Sequence, residues 1–412
     1  MAMQGYCDQI AMHVRQRSTW SWRSSRSNNR CTFALRMGSA RHFRWPAPLM
    51  QSAVNVLQTF GRPIERDRVD GGNALSGSTV NYVMATFESA VDVDNIRSRQ
   101  CFACGGKPSS GVGEHVFPKW LQTRFDLFDE RLTLQNGTLI PYRALTVSCC
   151  AKCNNGFLSG IESKVQTIIE RGTVDGDPDV LSLGRWMSKI FVGILVKETA
   201  LLLDRKDPSL GHIMAADFIG EFANCQLILQ SARKPTLFCS LHGKFPFSLF
   251  WYRIDTERGF DISTDIVGQS IAMRLGALGI IFVNDGGLQL NAGVDGPFGL
   301  QGLTVTPLQF NELAARVHTK ASLRDATHSY ANSETPEHLT IEQQDVHPYT
   351  STILAGGEMQ VFEPWNSEMF AVRASRITRL DESVFLDPVT RHEMTLLTNL
   401  ITSKPSDFEQ CA

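Results

Sequence analysis

The sequence predicts an α+β protein in three parts, on three observations. An arginine-rich, acid-poor stretch without lasting helical or strand periodicity opens the chain. Two Cys-x-x-Cys pairs then bracket a short segment. Beyond residue 172 a long apolar helical pattern gives way to short runs of aromatic and branched residues separated by turn signals. The parts are residues 1–95, a disordered or spurious extension; 96–172, a small cysteine-stapled module; and 173–412, a larger α+β domain of unassigned role.

The first part carries Arg15, Arg17, Arg23, Arg26, Arg30, Arg36, Arg41 and Arg44, a cluster of serines from Ser18 to Ser27, and one acidic residue, Asp8, before Glu65. Such a composition does not bury enough apolar surface to order a chain. Three readings fit it. One is an extension without structure, with Met84 as an alternative start. A second is a basic arm for phosphate, and a third is an organelle transit peptide. The whole chain, 412 residues with 42% hydrophobic and 20% charged residues, has a net charge of −2, so no global pull towards nucleic acid is built in. The N-terminus lacks the apolar core of a secretory signal. The best apolar runs, 270–283 and 191–203, contain Arg274 and Lys197–Glu198 and fall short of the roughly 20 apolar residues of a spanning helix. The expectation is a cytoplasmic protein with no membrane partner, in which paired cysteines bind metal rather than form disulfides.

The middle part contains Cys101-Phe-Ala-Cys104 and Cys150-Ala-Lys-Cys153. Thiolates are soft ligands, and four of them in a tetrahedron suit Zn²⁺. A redox dithiol uses one such pair, so two pairs favour structural zinc. Cys149 competes with Cys150 for the third position, and Cys150 is chosen because it alone gives the Cys-x-x-Cys spacing to Cys153. Between the pairs lies Glu114-His115-Val116-Phe117-Pro118, and Asn154-Asn155-Gly156 follows the last cysteine. Phe117 and Trp120 are expected in the module's core. Residues 156–172 should form a helix burying Phe157, Leu158, Ile161, Val165 and Ile168. Lys119, Arg124, Arg143, Lys152 and Lys164 are candidates for phosphate contacts, and Glu162 is expected in a salt bridge rather than on a metal.

This arrangement resembles the HNH endonuclease family, over Cys101 to about Gly172. The resemblance implies a zinc-stapled ββα-metal module that hydrolyses phosphodiester bonds in DNA. It implies His115 as general base on water, Glu114 and Asn154 as ligands of a catalytic divalent ion such as Mg²⁺, and Asn155 as a rival for Asn154. It also implies products with 5′-phosphate and 3′-hydroxyl ends. The chemistry is coherent: a hard cation takes oxygen ligands and offsets phosphate charge, and a neutral imidazole accepts a proton. Adjacent strand residues point to opposite sides. Glu114 and His115 therefore need a bend or bulge, to which Gly111 and Gly113 would lend themselves, if both are to serve one site.

In the last part, Asp179–Leu203 reads as a buried helix ending at the charged breaker Asp204–Pro208. Cys225–Leu229, Thr236–Leu241, Phe247–Arg253 and Gly279–Val283 read as strands, Pro307–His318 as a helix, and Leu323–His347 as a long loop or small extra element. A last helix is expected within Pro388–Ile401, capped by Asp387. The leading expectation is a metal-dependent DNA endonuclease. Its rival is a non-catalytic zinc module that binds nucleic acid or a protein partner, and a third possibility puts the function in residues 173–412.

Overall fold

The computed structural model describes residues 25–27 and 30–32. From residue 100 to 398 it describes all but 110–112, 135–136, 215, 241–242, 257, 289–298, 325 and 349–361. Of the expected N-terminal extension, only a short antiparallel pairing of Ser25–Ser27 with Arg30–Thr32 is described. The rest of residues 1–95 lies outside the described residues.

The fold is mixed α and β. Strand β1 (Gly113–His115) leads into helix α1 (Lys119–Arg124) and a small hairpin of β2 (Arg131–Thr133) and β3 (Leu139–Pro141). Strand β4 (Thr146–Ser148) returns to pair antiparallel with β1. A helical turn at Ala151–Cys153 then widens into a π-type turn over Asn154–Leu158, kinked at Gly156, before helix α2 (Ser159–Arg171). Helix α2 buries Ile161, Val165, Ile168 and Ile169, one apolar stripe at helical spacing, and stops at left-handed Gly172.

Helix α3 (Gly176–Ala200) begins three residues before the sequence suggests and buries residues on all sides along its central turns. That is the pattern of a helix inside a core rather than on its surface. One hydrophobic cluster joins Phe117, Val147 and Ile161 to Trp186, Phe191 and Phe282, so the apolar interior is continuous across residue 172. Gly193 of α3 makes that closeness possible: a Cβ there would stand 2.9 Å from Val116 Cγ2.

Helix α4 (Ala223–Gln230) and strand β5 (Thr236–Cys239) follow. The main sheet holds β6 (Ser248–Ile254), β7 (Phe260–Asp265), β8 (Ser270–Leu275), β9 (Leu278–Val283) and β10 (Thr304–Val305), in the order β10-β6-β9-β8-β7. It is antiparallel except where β10 runs parallel to β6. Helix α5 (Pro307–Ser322) packs on this sheet and opens with a capping box between Thr306 and Gln309 and with Pro307 in its first turn. Strands β11 (Ala326–Glu334) and β12 (Leu339–Pro348) pair antiparallel, and β12 runs parallel to β5. Helix α6 (Ser367–Thr378), capped by Asn366, packs against α5.

Several expectations are corrected. Cys225–Leu229 is helical, not a strand. It is buried throughout, and a run buried on every side carries no period to separate the two. Leu323–His347 is the small extra element rather than the long loop: mainly the β11–β12 hairpin, its inward Leu339, Ile341 and Gln343 alternating with exposed or half-exposed residues. No helix starts at Pro388: Asp387 Oδ1 accepts from the amides of Val389 and Thr390 at 2.8 and 2.7 Å, closing a turn that sends Leu386 back against Glu393. Thr398 is helical, and residues 399–401 of the expected helix lie outside the described residues.

A four-cysteine clamp and a buried lysine beside the histidine strand

The clamp is built by two tight turns. At the first, Gly105 N donates to Cys101 O at 2.8 Å, and Cys101 N donates to Gly106 O at 2.8 Å, with Gly105 in the left-handed region (φ 69°). At the second, Cys153 N donates to Cys150 Sγ at the start of a helical turn. Phe102 N bonds Ser148 O at 2.9 Å and fastens one turn to the other. As a result the sulfurs of Cys101, Cys104, Cys150 and Cys153 all lie within 4.8 Å of one another. Cys149 Sγ lies 3.8 Å from Cys101 Sγ but is not one of the four.

Crowding these sulfurs makes ionisation unequal. Hydrogen bonds from the Cys149 and Cys153 thiols hold Cys101 far below the usual thiol range. Cys153 is pushed far up, chiefly by its hydrogen bond to Cys101 and by burial. A dication shared by four sulfurs removes that competition, because a coordinating thiol is deprotonated outright. The donor set therefore fits a metal ion such as zinc.

Strand β1 carries the two residues singled out by the sequence. Its pairing with β4 is regular, Glu114 opposite Val147 and His115 opposite Thr146, with no shift of register. The expected bulge does not occur at these residues, and successive side chains take opposite faces. Glu114 faces inward and is 6% exposed. Lys189 Nζ, from α3 and 1% exposed, lies 2.7 Å from Glu114 Oε1 and 2.9 Å from Glu162 Oε1. The same ammonium donates to His115 O at 2.7 Å and approaches Val116 O at 3.2 Å. Glu162 is thus a salt-bridge residue, as the sequence suggests, and burial raises its pKa despite Lys189.

His115 is half-buried. Its Nδ1 is shielded from solvent and has no hydrogen-bond partner among the described residues. Burial, then the nearby charge of Lys119, lowers its pKa below that of a free imidazole, which favours the neutral ring near pH 7. Among the described residues no hydrogen bond joins this imidazole to Glu114, Asn154 or Asn155. Asn154 is half-buried and Asn155 exposed, on the wide turn after the clamp. The structure therefore brings Glu114 together with Lys189 and Glu162, not with the imidazole. Glu114 is engaged through Oε1 by a buried ammonium, and among the described residues no hydrogen bond joins it to Asn154 or Asn155.

The remaining sequence candidates take varied positions. Phe117 is fully buried, edge-on to Tyr142 at 4.9 Å and to Phe260 of β7 at 6.2 Å. Trp120 stacks on Trp186 at 6.2 Å. Lys119, Lys152 and Lys164 are exposed. Arg143 pairs with Asp129 and lies over the Phe128 ring, and Arg124 lies over Phe125.

Sequence reasoning missed three residues that hold this region together. Lys189 is one. Gln226 and Gln230 are the others, buried one turn apart on α4, both donating to Ala103 O inside the first cysteine turn, Gln226 at 3.2 Å. Polar residues inside otherwise apolar helical runs are the signal that marks all three. No family model matches this chain, and no curated protein or solved structure matches it.

Proposed function

We propose that residues 96–172 form a zinc-stapled ββα module that hydrolyses phosphodiester bonds in DNA, with His115 as the proton acceptor. The observation that carries the reading is the position of His115: a half-buried imidazole whose pKa burial and Lys119 lower, on the strand that pairs with β4 between the two cysteine turns. A base for water must be unprotonated, which a lowered pKa favours, and must keep part of its surface open, which half-burial allows. Lys119, exposed and near enough to act on the imidazole electrostatically, is suited to hold a phosphate oxygen while water attacks. Zinc bound by Cys101, Cys104, Cys150 and Cys153 would supply structure rather than chemistry. Lys189 takes over the inner face of the hairpin, balancing Glu114 and Glu162 and tying the end of β1 to α3.

The test is a supercoiled plasmid incubated with purified protein and Mg²⁺, Mn²⁺ or Ni²⁺, added in turn. Wild type should nick it, and His115→Ala should lose nicking by orders of magnitude while keeping zinc and DNA binding. Nicking that survives the substitution would end the assignment of the base.

One observation favours a second reading, a non-catalytic zinc module that binds nucleic acid or a protein. Glu114 is sequestered by Lys189, so the carboxylate that an HNH-type site would use for its cation is taken. Wild type that binds DNA and never cuts it, with any of the three ions, would establish this reading.

A further inference from the structure

A cleft of about 320 Å³ lies far along the chain from the cysteine module, between the edge strand β7 and helices α5 and α6. Its wall is fixed by a polar network. His318, fully buried, bonds Ser270 Oγ at 2.7 Å through Nδ1 and Ser263 Oγ at 3.0 Å through Nε2. Arg373 pairs with Asp265 at 2.8 Å and donates to His318 O at 2.9 Å and to Ser322 Oγ. Arg373 is therefore engaged by three partners within the fold.

Two further arginines line the same cleft. Arg376 lies one turn after Arg373 on α6, and Arg379 follows at the helix end in the left-handed region (φ 62°). Among the described residues neither side chain has an ion pair or hydrogen bond. Asp261 of β7 lines the same cleft; it accepts from Asn311 Nδ2 at 3.2 Å and from Ile262 N at 3.0 Å and keeps acceptor capacity to spare. The lining guanidiniums outnumber the lining carboxylates, three against two.

Guanidiniums without a carboxylate match the fork geometry of phosphate oxygens. A carboxylate in the same cleft accepts from hydroxyl groups. The volume is at the small end of the range of ligand sites, roughly 300–1,000 Å³. We propose that this cleft binds a small phosphate monoester that also bears hydroxyl groups, with its phosphate on Arg376 and Arg379 and a hydroxyl on Asp261. The site is independent of the nuclease reading and stands or falls without it.

The test is titration calorimetry on the full chain with ribose 5-phosphate, alongside ribose and inorganic phosphate. The ester should bind saturably to one site, inorganic phosphate more weakly, and ribose not at all. The exposed pair R376Q/R379Q should weaken the ester at least about tenfold, which is about 1.4 kcal/mol, without lowering the melting temperature. D261N should weaken the ester and leave inorganic phosphate unchanged. No saturable binding of the ester, equal binding by wild type and R376Q/R379Q, or a double variant that loses affinity for DNA instead would overturn the proposal. Inorganic phosphate binding as tightly as the ester would overturn the hydroxyl half of it.

Discussion

The ammonium of Lys189 lies 2.7 Å from the carboxylate of Glu114, and both side chains are buried. One residue comes from the hairpin strand between the cysteine pairs, the other from the long helix beyond residue 172. Breaking a buried pair costs far more than the pair contributes, because the partner is left charged in a poor solvent. Lys189→Met should therefore lower stability by about 3–5 kcal/mol in urea denaturation. A loss below about 1 kcal/mol, the ordinary worth of an exposed pair, would mean that the ammonium is not buried between two carboxylates.

The contact of Gly193 with Val116 gives a packing prediction. A methyl at Gly193 would meet Val116 Cγ2 at 2.9 Å, inside the normal contact distance. Gly193→Ala should cost about 1–3 kcal/mol, the usual range for overpacking. Val116→Ala made on top of it should recover part of that loss in the same thermal or urea melts. Additive losses would show that the two residues do not meet.

Burial holds His318 at a pKa of about 3, well below a free imidazole, with the nearby charge of Arg373 acting in the same direction. In the unfolded chain the ring takes up a proton near its ordinary pKa, and the folded state refuses that proton. The stabilisation is complete above the unfolded value of 6.5 and drains away as pH falls towards the folded value. Between these limits wild type should lose about 1.4 kcal/mol per pH unit from this residue. Urea denaturation of wild type and His318→Gln at neutral pH and at roughly pH 5 should show a steeper acid loss for wild type. Parallel losses would contradict a buried neutral imidazole.

Parts of this architecture are legible in the sequence for a physical reason. Local signals, such as Cys-x-x-Cys spacing, the apolar spacing along Pro307–His318 and the stripe along α2, depend on neighbours in the chain. They point to two helices and to a cysteine cluster that could hold a metal ion. The choice of Cys150 over Cys149 also followed from spacing. What escaped reading depends on partners far away. Lys189 finds Glu114 and Glu162 across the core, and Gln226 and Gln230 find Ala103. The inner and outer faces of β1 are chosen by regular pairing with β4, which no glycine in its approach announced. Helix α4 was misread because burial on every side erases periodicity.

Zinc should also discriminate between adjacent cysteines. Cys149 is fully buried 3.8 Å from Cys101 Sγ, yet the converging set uses Cys150. Cys149→Ser should keep its metal, and Cys150→Ser should lose it, when both are purified without chelator and assayed for bound zinc. The opposite pattern would move the third ligand by one residue.

The central claim is that four sulfurs close residues 101–153 around a single ion. Loading the purified chain with Co²⁺ tests it most directly, because tetrahedral thiolate ligation gives an intense sulfur-to-metal absorption band. The account predicts one equivalent of bound cobalt per chain with that band, and its loss in the doubly substituted Cys101→Ser, Cys153→Ser protein. A wild-type chain that binds no cobalt or zinc, or binds it without thiolate absorption, would contradict it.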